Sequence, residues 1–176
     1  MRTDVTKERL RQLMQQLAAT APAGGHFRVY LVGGSTAVWS GWRPSSVDVD
    51  LTTDQEAVFH DIQGLKERLN MNIEFASPEH FVPPLPGTEG RHLPIETIGR
   101  VSFYHFDPYA QAFSKIIRGL DRDLEDARQF VRHGLVNGPT LRDLVGRIPA
   151  AEYARYPSLT RESVSAAVAG FLTELE

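Results

Sequence analysis

The stretch YLVGGSTAVWSGWRPSSVDVDL, residues 30–51, decides how the first part of this chain folds. Its apolar opening ends in Gly33-Gly34-Ser35, and after twelve intervening residues come Asp48 and Asp50, separated by one valine. The pattern predicts a buried strand, a tight glycine turn, a short helix that starts near Ser35, and then a strand on which polar and apolar residues alternate. The question is whether the turn and the two aspartates form one site.

The two aspartates share one face of the predicted strand, because side chains two residues apart leave a strand on the same side. Neighbouring carboxylates repel each other, and a cation between them removes that repulsion. A hard divalent ion such as Mg²⁺ takes one or two carboxylates and completes its shell with water and substrate phosphates. Asp48 and Asp50 are therefore candidate metal ligands. The alternative interpretation is an exposed polar strand face that binds no metal.

A third acid is expected if the site carries out phosphoryl or nucleotidyl transfer, in which two ions clamp the attacking and leaving oxygens. Glu74 is the candidate, since it stands between two apolar residues in the predicted strand 71–76. Glu96 and Asp107 also lie near predicted strand ends. The sequence leaves the choice among these three residues open.

The glycine turn has the chemistry of a phosphate site. Backbone N–H groups and the positive end of the helix dipole attract an anion at a helix N-terminus, and Gly33 and Gly34 allow that anion to approach the backbone closely. The hydroxyl of Ser35 adds a further donor. The alternative is a strand-to-helix turn that only needs a positive φ angle. The phosphate loop pattern G-x-x-x-x-G-K-[ST] is absent.

The rest of the chain predicts an α/β or α+β fold with two regions. Residues 1–107 read as a core in which a mixed sheet of about four strands is flanked by helices, and residues 108–176 read as a helical C-terminal region. Helices are expected at 6–19 and 54–70, the second with Asp54 as its cap. Strands are expected at 27–32, 46–52, 71–76 and 99–106, whereas the segment 82–94, rich in proline and glycine, is expected to be irregular.

Composition excludes several classes of protein. The 176 residues include no cysteine, so disulfides and thiolate metal sites are ruled out. No apolar run approaches the roughly 20 residues of a membrane span, and the polar N-terminus does not resemble a secretory signal. The expectation is a cytoplasmic protein without a membrane partner. A net charge of -3 argues against broad, charge-driven binding to nucleic acid.

The motif set resembles the nucleotidyltransferase superfamily related to DNA polymerase β. The shared features are Gly-Gly-Ser after a strand, Asp-Val-Asp-Leu about a dozen residues later, and then a carboxylate between apolar residues. GWRPSSVDVDL further resembles the branch that contains AbiEii-type toxin–antitoxin nucleotidyltransferases. A later motif of that branch is matched within YAQAFSKIIRGLDRDLEDARQFV by Lys115, Arg118, Arg122, Asp123 and Asp126.

The resemblance implies roles for the first set of matching residues. Gly33, Gly34 and Ser35 would contact the phosphates of a nucleoside triphosphate. Arg43 is expected, from its own charge, to touch a phosphate or to pair with Asp48 when no metal is bound. The resemblance also implies Mg²⁺ or Mn²⁺ as cofactor, with Asp48, Asp50 and Glu74 as the catalytic and metal-binding acids.

The resemblance assigns the later motif to the nucleotide and the acceptor. Lys115 and Arg118 would bind the triphosphate, and Asp123 or Asp126 would act as a base or orient the acceptor. The spacing of Lys115, Arg118 and Arg122 puts three cations on one helical face, provided that one helix continues through Gly119. The alternative is a solvated face on which these cations pair with nearby acids.

Three functions follow from these observations. The leading hypothesis is Mg²⁺-dependent transfer of a nucleoside monophosphate from a triphosphate to a hydroxyl acceptor, either RNA such as tRNA or a protein. By resemblance, such an enzyme would be the toxin of a toxin–antitoxin pair, with a cognate antitoxin as partner. The second is a nucleotidyltransferase-like binding module or antitoxin with weak catalysis or none. The third is a nucleotidyltransferase that modifies a small molecule such as an antibiotic.

Overall fold

The computed structural model describes residues 2–176, which divide into two compact units. One unit comprises the described part of Met1–Ser77 together with Leu93–Phe106, and it contains every strand of the described chain. The other comprises Pro78–His92 and Asp107–Glu176. The segment 78–92 thus groups with the C-terminal helices. The predicted α/β (α+β) class, with a small mixed sheet, flanking helices and a helical C-terminal part, is confirmed.

A five-stranded mixed sheet forms the centre of the first unit. Its strands run in the order β5-β4-β2-β7-β6. The central β2 pairs in parallel with β7 and antiparallel with β4, while β4 pairs in parallel with the edge strand β5. A separate two-residue pairing joins β1 to β3. The bounds are β1 Val5–Thr6, β2 Phe27–Leu31, β3 Ser45–Ser46, β4 Asp48–Thr52, β5 Asn72–Phe75, β6 Leu93–Ile98 and β7 Val101–His105.

Three helices accompany this sheet: α1 (Lys7–Thr20), α2 (Gly33–Ser40) and α3 (Ile62–Arg68). The apolar stripe of α1 packs into one hydrophobic cluster with the inward-facing residues of the strands. Because strand side chains alternate, burying one face of β4 leaves its other face to the two aspartates. The buried stripe of α1 is the one that its spacing predicts, Leu10, Leu13, Met14 and Leu17.

Two predictions about the first unit are wrong in detail. A fifth strand, β6, occupies part of the segment expected to be irregular. It is an edge strand with an irregularity between Pro94 and Glu96, and an edge tolerates a proline because the missing N–H faces no partner strand. The helix expected at 54–70 is instead a short 3₁₀ turn, Glu56–Phe59, followed by α3, whose N-cap is Asp61 rather than Asp54.

The second unit consists of four helices and three short 3₁₀ turns. α4 (Pro108–Arg118) packs against α5 (Asp121–Arg132) and α7 (Arg161–Glu174), and α6 (Gly138–Gly146) packs against α7. Asp107 caps α4 by accepting a hydrogen bond from the N–H of Tyr109 at 2.9 Å. Thr160 and Ser163 form a complete capping box at the start of α7, which is the typical way for a helix to satisfy its first free N–H groups.

Candidate active site

The aspartates of β4 lie on the partly exposed face of the sheet. Asp48 and Asp50 alternate with Val49 and Leu51, whose side chains are 0% and 1% exposed in the core. The strand therefore has one apolar and one acidic face, as the alternation predicts. Because Asp48 and Asp50 are two residues apart on one strand, their Cα atoms are about 7 Å apart.

Glu74 shares this face. The parallel pairing of β4 with β5 sets Asp50 beside Glu74 and Asp48 beside Asn72. Paired residues on adjacent strands project to the same side of a sheet, with the strands about 4.8 Å apart. Asp48, Asp50, Asn72 and Glu74 thus form one polar square, which we call the carboxylate face. Glu74 stands directly across from Asp50.

The other two candidates for the third acid are engaged elsewhere. Glu96 accepts a hydrogen bond from Arg11 of α1 at 2.9 Å, and its register partner is Phe103, which points into the core. Asp107, in the second unit, is fully buried. Its Oδ2 accepts from the Nε and Nη2 of Arg91 at 3.0 and 2.8 Å and from the hydroxyl of Thr88 at 3.1 Å. Of the three acids, Glu74 is the one that shares a face with the aspartates.

The glycine turn adjoins the carboxylate face directly. Helix α2 begins at Gly33, whose φ of +54° lies in the left-handed region that favours glycine. A Cβ atom at this position would be 3.0 Å from the Oδ2 of Asp50. The hydroxyl of Ser35 accepts a hydrogen bond from the N–H of Asp50 at 2.9 Å, and the N–H of Val32 donates to the carbonyl of Asp50 at 3.2 Å. Hydrogen bonds therefore hold the glycine turn and Asp50 together.

Ser35 performs this structural task without using its proton. A hydroxyl donates one hydrogen bond and can accept two, so acceptance from Asp50 leaves its hydrogen for another acceptor. The side chain is 2% exposed, which fixes the hydroxyl in the first turn of α2. The predicted phosphate donor is thus also the hydrogen-bond partner of β4.

The segment between α2 and β4 returns to the glycine turn. A Cβ atom at Gly34 would be 2.6 Å from the hydroxyl oxygen of Ser46 and 3.5 Å from the Nη1 of Arg43. Glycine at this position makes room for both groups. Arg43, expected near a phosphate or an aspartate, therefore lies beside the turn. The sequence does not indicate Ser46 as a site residue, because its place beside Gly34 depends on how the segment between α2 and β4 folds back onto the turn.

The donor set suits a hard divalent cation. Mg²⁺ is typically held by one or two carboxylates and completes its shell with water and substrate phosphates, and Asp48 and Asp50 supply that pair beside a predicted phosphate site. Within residues 2–176, however, no group of three His, Cys, Asp or Glu side chains is drawn together closely enough to hold a metal by itself. A divalent cation held by Asp48 and Asp50 would take the rest of its shell from water or a phosphate.

A histidine with a strongly shifted pKa supports the turn from the core side. His105 of β7 shares a hydrogen bond of 3.1 Å between its Nδ1 and the hydroxyl of Thr36 in α2. Burial, assisted by the positive charge of Lys7, lowers the pKa of His105 from 6.5 to about 4. The imidazole is therefore neutral at pH 7 and serves as a structural partner of α2.

The later motif lies in the second unit as a buried ion cluster. The ammonium of Lys115 is 2.8 Å from the Oδ2 of Asp126 and 3.5 Å from the Oδ1 of Asp123, with all three side chains less than 10% exposed. Arg118 places its Nε 3.5 Å from the Oδ2 of Asp123, and its side chain is 39% exposed. We call these four residues the lysine cluster.

The predicted single face of three cations does not form. Helix α4 ends at Arg118, and Gly119 follows with a φ of +70° and donates its N–H to the carbonyl of Lys115. This left-handed glycine is a common helix terminator. Arg122 therefore lies on the next helix, α5, where it is exposed. Lys115 and Arg118 stay together, whereas Arg122 is separate from them.

The fold and the acidic face together define a class of protein. A mixed sheet in which a glycine turn opens a helix, and in which the next strand carries two alternating aspartates, is the arrangement of a nucleotidyltransferase. The chain belongs to the family described as "Nucleotidyltransferase of unknown function (DUF6036)", whose model matches residues 8–167. The resemblance to the nucleotidyltransferase superfamily is thereby confirmed.

No curated protein and no solved structure matches the chain significantly. Among residues 2–176, no helix combines the length and the apolar character that a membrane crossing requires.

Proposed function

We propose that this protein transfers a nucleoside monophosphate from a nucleoside triphosphate to a hydroxyl acceptor and releases pyrophosphate. Membership in a nucleotidyltransferase family supports the reaction class. The observation that carries the proposal is the position of Asp50. Its carboxylate lies against Gly33 of the glycine turn and beside Glu74 on the neighbouring strand. One residue thus joins a predicted phosphate site to a predicted metal site.

The chain's own residues would divide the work of binding. The first turn of α2, with Gly33, Gly34 and the hydroxyl of Ser35, would hold phosphate oxygens through hydrogen bonds and the helix dipole. Arg43, beside the same turn, would neutralise a phosphate charge. A fixed set of donors of this kind orients the triphosphate before reaction and requires little rearrangement during it.

Asp48 and Asp50 would hold Mg²⁺ or Mn²⁺, with Glu74 as the third acid of the same face. When bound, such a cation neutralises the charge that develops on the phosphate oxygens. In the reaction, the acceptor oxygen forms a bond to the α-phosphorus and the bond from that phosphorus to the bridging oxygen of pyrophosphate breaks. The acceptor proton passes to a base of the protein or to water.

By resemblance to the later motif, the lysine cluster would provide a base or an acid that orients the acceptor, and a cation for the triphosphate. Asp123 is the better candidate for the base, because its buried Oδ2 accepts no hydrogen bond from residues 2–176, although it is engaged by a 3.5 Å ion pair with Arg118. Asp126 accepts a 2.8 Å hydrogen bond from Lys115 and would orient rather than accept a proton. Since the charge of Lys115 is already balanced by two carboxylates, the partly exposed Arg118 is the cation more accessible to a triphosphate.

The proposed acceptor is RNA, such as a tRNA end, or a protein hydroxyl, and the proposed setting is a toxin–antitoxin pair with a cognate antitoxin. The support is that the segment GWRPSSVDVDL, residues 41–51, and the later motif that forms the lysine cluster resemble AbiEii-type nucleotidyltransferases. The alternative is a module that binds a nucleotide without transferring it. That alternative is favoured by one observation, the lack of a preassembled group of three metal ligands within residues 2–176.

The test is transfer of label from α-³²P nucleoside triphosphates with Mg²⁺, to total RNA in one arm and to a protein extract in the other. We expect wild-type labelling of one acceptor, and a loss of at least about 100-fold in Asp50→Asn, as is typical when a group that stabilises charge in the transition state is removed. Asp54→Asn is the matched control, because it makes the same change at an exposed residue outside the carboxylate face.

Labelling by Asp50→Asn at the wild-type level would contradict the proposed site. A wild-type protein that binds triphosphate but labels neither acceptor would support the binding module, unless a small hydroxyl compound elicits pyrophosphate release. That last outcome would identify the small-molecule enzyme.

A further inference from the structure

The carboxylate face contains one residue that is not an acid. Asn72 is the register partner of Asp48 on β5 and stands two residues before Glu74 on the same strand. Asparagine is depleted in strands, because its side chain packs poorly on a pleated surface and competes for backbone hydrogen bonds. Its position at the edge of a row of carboxylates therefore calls for a specific cause.

The amide of Asn72 connects two of the acids. Its Nδ2 donates to the Oδ1 of Asp48 and, at 3.3 Å, to the Oε1 of Glu74. A side-chain amide carries two N–H hydrogens, so both bonds form at once. Hydrogen bonds to ionised acceptors are stronger than those between neutral groups. One neutral side chain thus reduces the repulsion between carboxylates on adjacent strands and restricts their rotation.

The arrangement also decides which oxygen of Asp48 remains for a cation. The Oδ1 atom accepts the amide hydrogen of Asn72. A carboxylate has lone pairs on both oxygens, and the contact with Asn72 does not engage those of Oδ2. An acid at position 72 would place a further negative charge directly beside Asp48, and like charges opposite each other are destabilising. An apolar residue there would leave the Asp48 carboxylate free to rotate.

We propose that Asn72 is a positioning residue of the transfer reaction, which orients Asp48 through Oδ1 so that Oδ2 binds the divalent cation. This inference rests on the proposed function. Residues that hydrogen-bond to metal ligands fix the orientation of those ligands, and their loss typically weakens metal binding or activity by about 10- to 100-fold. Asn72 does not contact the reacting atoms and acts through Asp48.

The experiment measures Mn²⁺ binding by electron paramagnetic resonance of the free ion, with a nonhydrolysable triphosphate analogue present, and the melting temperature by circular dichroism. We expect Asn72→Ala to raise the Kd for Mn²⁺ about 10- to 100-fold, with a melting temperature near that of the wild type. Asn72→Gln keeps the amide and should recover part of the affinity. Thr52→Ala, a truncation on the same face of β4, is the control and should bind as the wild type does.

Each outcome decides the matter. Wild-type affinity in Asn72→Ala would overturn the positioning role, because a contact that only supports the fold would change the melting temperature and leave the Kd alone. If Asn72→Ala does not fold, the same weakening is required of Asn72→Ser. A wild-type protein that binds no Mn²⁺ would overturn the metal proposal itself. That failure is distinct from one confined to Asn72, which would leave the wild-type affinity intact.

Discussion

Replacing Lys115 with methionine should destabilise the second unit far more than the loss of a surface charge does. Methionine retains most of the length and apolar volume of lysine but removes the ammonium that lies between Asp123 and Asp126. All three side chains are less than 10% exposed, so water cannot replace the lost cation. Two buried carboxylates would then face each other, and the ion pair from Arg118 to Asp123 at 3.5 Å would offset only part of their charge.

The magnitude follows from that burial. Exposed ion pairs contribute about 0–1 kcal/mol, whereas removal of one partner from a buried pair costs about 3–5 kcal/mol, because the remaining charge is left uncompensated. With a urea m value of about 2 kcal/mol/M, a loss of 4 kcal/mol lowers the denaturation midpoint by about 2 M. The assay is urea denaturation followed by circular dichroism. Lys66→Met, in α3, is the matched control and should shift the midpoint by less than about 0.5 M.

A double-mutant cycle makes the reasoning refutable. Asp126→Asn in the Lys115→Met background removes one of the uncompensated charges and should restore at least about 1 kcal/mol of stability, although the same change alone is destabilising. A loss below about 1 kcal/mol in Lys115→Met, or strictly additive effects in the cycle, would show that the lysine cluster is neither buried nor coupled in the way described.

Three further predictions concern the turn, its histidine support and the rejected third acid. Gly33→Ala should lower the free energy of unfolding by about 1–2 kcal/mol because of the left-handed φ, and should abolish transfer because the new Cβ would lie 3.0 Å from the Oδ2 of Asp50. Gly99→Ala is the control, since Gly99 has the same φ of +54° and no neighbour within 4 Å; it should lose stability and keep transfer. The pKa of His105 lies near 4 in the folded chain and near 6.5 in the unfolded chain. The free energy of unfolding is therefore unaffected by this histidine above pH 6.5 and decreases as the pH falls toward 4, because the unfolded chain then binds a proton that the folded chain does not. His105→Gln should remove about 2 kcal/mol of the loss between pH 7.5 and 5 in urea titrations. Asp107→Asn should lower the free energy of unfolding in urea by about 3 kcal/mol, and the folded variant should transfer label at nearly the wild-type rate. Loss of transfer without loss of stability would restore Asp107 as a candidate third acid.

Much of the first unit could be predicted because its signals are local. The alternation of Asp48 and Asp50 with buried valine and leucine is a property of consecutive residues, and so are the stripe of α1 and the glycines that open α2. The strand β6 was missed because Pro94 and the preceding glycines are typical of loops. An edge strand accepts proline, but the sequence does not say which strand lies at the edge.

The partners within the candidate site could not be predicted in the same way. Asn72 reaches Asp48 only through the parallel register of β4 with β5, and Ser46 reaches Gly34 only because the chain folds back over the turn. Register and loop path are tertiary properties. The end of α4 is different, since Gly119 followed by Leu120 and Asp121 already carries the sequence signal of a helix stop and a new helix.

The central claim is that the carboxylate face supports nucleotidyl transfer, and its most direct test compares two labels in parallel reactions. Parallel incubations with Mg²⁺ and an acceptor contain a triphosphate labelled with ³²P at either the α or the γ position. We predict that the α label enters the acceptor, that the γ label leaves in pyrophosphate, and that both changes disappear in Asp48→Asn. Transfer of the γ label to the acceptor, or α labelling by Asp48→Asn at the wild-type rate, would contradict the account.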